Sequence, residues 1–218
     1  MHVAVEPEAP AMPVAETVAE TEAAPIQVAG RFIESDYGIK LTEEGLRSLE
    51  GEKWVFDEVI DFVYSEFSSQ FMSKQDILFV QPSIAHLMTN LPADSNPLRT
   101  LDLGNNNLLL FPVNNIEENE RGDRGTHWCL VVLHVDRSHN QCRFVHHDRI
   151  VNMNRGAAKR LVGNLKRLFP SFHSTFIEGQ TPQQANGYDY VVLVIAVIQD
   201  SLLVEQGKEW TKDRRRLV

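Results

Sequence analysis

Cysteine is scarce in this chain: Cys129 and Cys142 are the only two among 218 residues. That excludes a disulfide-stapled scaffold and points to a reducing compartment. Long apolar runs are also missing. The longest, Tyr190 to Ile198, covers about nine residues, less than half of what a membrane helix needs. No basic stretch leads into an apolar one at the N-terminus, so a secretory signal is not expected. Positive charge is short: 21 Lys and Arg face 30 Asp and Glu, for a net charge of −9. That balance argues against general nucleic-acid binding. Residues 1–30 contain five Glu and no Lys or Arg, and Pro7, Pro10, Pro13 and Pro25 interrupt any helix there. This composition reads as a disordered acidic tail.

What is present fits a globular protein. Apolar content is 43% and charged content 23%, and the length suits a single domain with a substantial core. The boundaries are expected at 31–206, with a basic tail over 207–218 that includes Lys212-Asp-Arg-Arg-Arg216. Val55, Val59, Phe62, Val63 and Phe67 recur at helical spacing and predict a helix over about 54–71. A short strand over 77–80, a short helix over 82–88 and a loop over 90–107 follow. Leu108 to Val113 reads as a buried strand. His127 to Asp136 and Cys142 to Asp148 read as an antiparallel pair about the turn 137–140. Ala158, Leu161, Val162, Leu165, Leu168 and Phe169 mark a second amphipathic helix, and 175–178 a last short strand. From Tyr190 to about Val204, length favours a helix over a strand. Helices before, between and after the strands give an α+β class.

The stretch from Gln183 to Val194 organises the rest. Asn186-Gly187 is a strong turn signal, and Asp189 stands where an N-cap would precede the apolar run. A helix N-terminus favours negative charge and lowers the pKa of a thiol placed there. His127 at a strand start, Asp148 at the end of the partner strand and Gln184 in this turn follow the order that a cysteine hydrolase needs. These are a base, a carboxylate to orient it, and a donor for the oxyanion.

Gly-Thr-His127-Trp128, His147-Asp148 and Gln184-Ala-Asn-Gly-Tyr-Asp189 resemble the ubiquitin-like-protein-specific cysteine proteases, which remove SUMO or the neddylation modifier from substrates. Trp54-Val-Phe-Asp57 is similar to that family's N-terminal Trp-Leu-Asn-Asp motif, with Phe56 in place of Asn. The resemblance spans roughly residues 40 to 200 and is strongest to the deneddylase branch. It implies a papain-like α+β fold of the ubiquitin-like protease type. It also implies His127 as the catalytic His, Asp148 as its orienting Asp and Gln184 as the oxyanion donor. Trp54, Asp57 and Trp128 would flank a modifier's C-terminal tail. No metal, cofactor, nucleic acid or membrane is implied, and the place would be cytoplasm or nucleus.

The pattern breaks at the nucleophile. The family has Cys-Gly after Tyr-Asp, and this chain has Tyr190-Val191. A phenol ionises near ~10 against ~8.5 for a thiol, and its ring would fill the space of the scissile carbonyl. Val191 adds a branched side chain where a substrate would approach the backbone. Three readings follow: a pseudoprotease that binds a modifier without cutting, a peptidase with a displaced nucleophile, or an interaction module that binds no modifier. The displaced nucleophile would be Cys129, two residues from His127 on one strand, or some other arrangement, and Cys142 reads as a buried small residue. His146-His147-Asp148 is a tempting metal cluster, but adjacent strand residues point to opposite faces. His127 with Asp148 and one of these two His could still hold an ion, but both His146 and His147 read first as ordinary strand residues.

Overall fold

The structure, a computed structural model, describes residues 32–35, 38–51, 53, 55–71, 76–92, 103, 106–116, 127–181 and 183. Two short strands, β1 (Phe32–Glu34) and β2 (Lys40–Thr42), form an antiparallel ribbon. Helices α1 (Glu43–Ser48) and α2 (Asp57–Phe71) follow, then β3 (Ile77–Phe79), α3 (Pro82–Asn90), β4 (Leu108–Asn114), β5 (Trp128–Asp136), β6 (Gln141–His147), α4 (Arg155–Lys166) and β7 (His173–Glu178). Strands β3 to β7 make one sheet in chain order. Its two outer pairings are parallel, and β4–β5 and β5–β6 are antiparallel.

The period of two in β4 and β5 divides the core. Leu109, Phe111, Val113, Cys129, Val131 and Leu133 face one way and pack under α3 and α4. Leu108, Leu110, Leu130 and Val132 face the other and meet α2. Both faces are apolar because helices cover both. Pro112 is tolerated in β4 because of its position. Val80 N donates to Leu110 O, so even-numbered residues turn their amides toward β3, and Pro112 falls beyond the last residue of that strand.

Helix α4 buries Ala157, Ala158, Leu161, Val162 and Leu165 and exposes Lys159, Arg160 and Lys166, as its spacing predicts. Helix α2 starts at Asp57 rather than near residue 54, and Val55, Val59 and Phe67 are buried as expected. Ile60 and Tyr64 are buried, whereas Phe62 and Val63 are half-buried. The expected acidic tail, the basic tail and the helix from Tyr190 lie outside the described residues.

Candidate functional site

His127 and Asp148 meet at the open end of the β5–β6 hairpin. The register pairs Leu130 with His147, so the residue before β5 and the residue after β6 lie side by side at the end away from the turn. His127 Nε2 and Asp148 Oδ1 are 2.6 Å apart, and both side chains are nearly sealed from solvent, at 1% and 4% exposure. Nδ1 is therefore the ring nitrogen that a reacting group would have to meet. Asn115 Oδ1 accepts from His127 N at 3.2 Å and ties the start of β5 to the end of β4.

Asp148 is held from several sides. Ile150 N donates to Oδ1 at 3.1 Å and Asn154 N to Oδ2 at 3.0 Å. Burial raises the Asp148 pKa, but the bond from His127, the two backbone N–H bonds and the imidazole charge outweigh it. The carboxyl stays below its ordinary value. Asp148 is thus a fixed anion that holds the ring in one orientation, the role a triad carboxylate plays.

Two groups beside the pair have no role in the sequence reading, which takes His146 for an ordinary strand residue. His146 is fully buried, stacks on Phe176 and shares a 2.7 Å contact from Nδ1 to Glu178 Oε2. Its Nε2 lies 4.0 Å from Asp148 Oδ2, and Arg155 Nε pairs with Glu178 Oε1 at 2.8 Å. The signal was the His-x-Asp spacing, since strand residues two apart share a face. Asn154 is the other. His147 points to the opposite side and meets Thr181 Oγ1 at 3.1 Å, so the three residues do not converge. Among the described residues no group of three His, Cys, Asp or Glu is placed to hold a metal ion.

The chain after β7 runs on beside the end of β6. Gly179 N donates to His146 O at 2.7 Å. Gln183 Nε2 reaches Asp148 O, and Arg149 Nη2 reaches Gln183 O, each at 3.4 Å. Gln183 is thereby held beside the backbone of Asp148 and Arg149. Gln184, Tyr190, Val191 and Trp54 lie outside the described residues. Trp128 is half-buried against the α2-side core, on the sheet face opposite His127. Asp57 opens α2 and is exposed, and its Oδ1 accepts from Glu58 N at 3.1 Å.

Cys129 does not reach a reacting position. Its side chain is 1% exposed and lies in the core beneath α4. Burial pushes its thiol well above the usual range, the charges of Asp148 and Glu178 push it further, and Asn154 only partly opposes them. A buried thiol that resists ionisation is a poor nucleophile.

No family profile matches the chain. Individual relatives do. NEDD8-specific protease 1 of Arabidopsis thaliana is 33% identical over 162 residues, which cover 72% of this chain and 70% of that protein. A probable sentrin-specific protease 8 of Dictyostelium discoideum is 24% identical over 176 residues, covering 73% and 70%. Among solved structures, the C-terminal Ulp1 protease domain in complex with Smt3, the yeast orthologue of SUMO, superposes with a TM-score of 0.52. It is 17% identical and covers 79% of this chain and 77% of its own. The SUMO protease Ulp1 with its catalytic cysteine oxidised to a sulfinic acid gives 0.54 at 17% identity, covering 85% and 83%. At those identities the superpositions speak for the fold, and the fold is the papain-like α+β arrangement expected from the sequence. The shared fold, together with one-third identity over most of the Arabidopsis protein, means that this chain belongs to the ubiquitin-like-protein-specific cysteine protease family, of the deneddylase and SUMO-protease type.

Proposed function

We propose that this chain is a pseudoprotease of its family. It holds a ubiquitin-like modifier, either the neddylation modifier or SUMO, in an inherited cleft and does not cut it. One observation carries the reading: the His127–Asp148 pair is kept at 2.6 Å, while Tyr190-Val191 stands where the family has Cys-Gly. On this reading His127, Asp148 and Gln184 are retained positions of the old active site, and Tyr190 is the substituted nucleophile. Trp54, Asp57 and Trp128 are the modifier-binding residues. The binding unit is residues 31–206, working in cytoplasm or nucleus. A displaced nucleophile finds no support at Cys129, which is buried and stays protonated.

Calorimetric titration of the full chain with mature NEDD8, SUMO and ubiquitin tests the proposal. Binding to one of them at micromolar or better, about −8 kcal/mol, is expected, with no hydrolysis of a fusion to that modifier. Absence of heat with all three sinks the modifier-binding reading in favour of an interaction module. Turnover by the unaltered chain sinks the pseudoprotease reading. Tyr190→Cys with Val191→Gly should restore measurable cleavage, because His127 and Asp148 are already aligned. If the double variant binds the modifier but stays inert, more than the nucleophile has been lost.

A further inference from the structure

Asn154 occupies the N-cap position of α4 and does not cap it. Its side chain makes no hydrogen bond to the first turn of the helix. An N-cap Asn normally does so, for about 1 kcal/mol of stability. Here both amide hydrogens go elsewhere: Nδ2 donates to Val113 O at 3.1 Å and to His127 O at 2.9 Å. Asn154 N donates to Asp148 Oδ2 at 3.0 Å. The residue is 1% exposed, and its Oδ1 is buried without a hydrogen-bond partner, an arrangement that costs roughly 1–3 kcal/mol. A side chain selected to start its own helix would neither forgo the cap nor strand its oxygen.

We infer that Asn154 is a positioning residue of this site, a clamp that sets the His127–Asp148 alignment. Its three donors reach three separate pieces of chain: the end of β4, the residue before β5 and the carboxylate after β6. The carbonyl that it fixes belongs to His127 itself. The carboxylate oxygen that it fixes is Oδ2, which leaves Oδ1 turned toward His127 Nε2 and Ile150 N. One buried amide and its own N–H therefore locate both partners of the pair relative to the sheet. The inference rests on the reading of His127 and Asp148 as the site, and it holds whether that site cuts or only binds.

The test compares the full chain with Asn154→Ser and Asn154→Asp. Ser and Asp cap helices as well as Asn does, so the start of α4 is preserved, but neither supplies two amide hydrogens. The readout is the Nε2–H proton of His127 in histidine-labelled protein, assigned by its absence in His127→Gln. Loss of two bonds at about 1 kcal/mol each should speed its exchange about tenfold or more in both variants. A wild-type exchange rate in either folded variant, with only the melting temperature lowered, overturns the inference. A measurement without substitution stands beside it. The Asn154 backbone amide of the unaltered chain should be as protected from exchange as the amides of β5, and exchange at the rate of an exposed turn overturns the clamp. Modifier binding is titrated on the same samples. A parent that binds no modifier yet shows the tenfold change refutes the proposed function and leaves the clamp standing. The opposite result does the reverse.

Discussion

At the scale of single residues, Gly179 is as demanding as the polar groups. A Cβ there would lie 2.6 Å from His147 Nδ1, closer than real contacts allow, and a tight 3.2 Å from His146 O. Gly179→Ala must push His147 off Thr181 and loosen the run of the chain toward residue 183. A loss of about 1–3 kcal/mol is expected in urea denaturation. In the Tyr190→Cys, Val191→Gly background it should also lower the restored cleavage rate. The polar pair was legible in the sequence because His127 and Asp148 flank a recognisable hairpin. Asn154 and His146 were not. An Asn before a helix reads as a cap, and a His in a strand reads as filler, until the partners of their nitrogens are known.

Elements with a repeating apolar period were read to within a few residues. β6 and α4 carry such a period, β4 and β5 are near-continuous apolar runs instead, and all four lie where expected. β1, β2 and α1 were missed. The two strands have three residues each and are mostly exposed, so no alternation marks them. Helix α1 has six residues, too few for a periodic stripe. It is held by its cap instead. Thr42 Oγ1 accepts from Gly45 N at 3.0 Å and donates to Glu58 Oε1 at 2.7 Å, which joins α1 to α2. Thr42→Ala should therefore cost about 1 kcal/mol or slightly more, and Thr42→Ser should recover most of it in thermal melts. Leu161, fully buried on α4, is a packing residue of the ordinary kind. Leu161→Ala should cost about 2–5 kcal/mol, measured by the shift of the urea midpoint.

For the whole molecule, acid is the revealing stress. Burial and the Arg143 charge hold His134 at about 4. Burial, with His146 and His134, does the same for His147. Unfolding releases both to their ordinary 6.5, so between pH 4 and 6.5 the unfolded chain binds more protons there, and stability falls as pH falls. Asp61 works the other way. Burial and the charge of Asp57 raise it to about 6, so the folded chain holds a proton that the unfolded chain gives up. Asp61 is less deeply buried, and solvent screening reduces its share. The free energy of unfolding in urea should therefore rise from pH 4 to 6.5, by something of the order of 1 kcal/mol per pH unit, and then level off. His134→Gln should remove more than half of the rise, since Asp61 still opposes the remaining His147, and an unchanged profile in that variant would refute the account. The hairpin that carries the pair also has a remote end. Residues 136–140 are exposed at its turn, roughly 30 Å along the strand from His127. The two native cysteines are each 1% exposed. A dye attached through Ser138→Cys would thus be the only readily labelled thiol among the described residues, and it would report tumbling or proximity from the end of the hairpin remote from the His127–Asp148 pair.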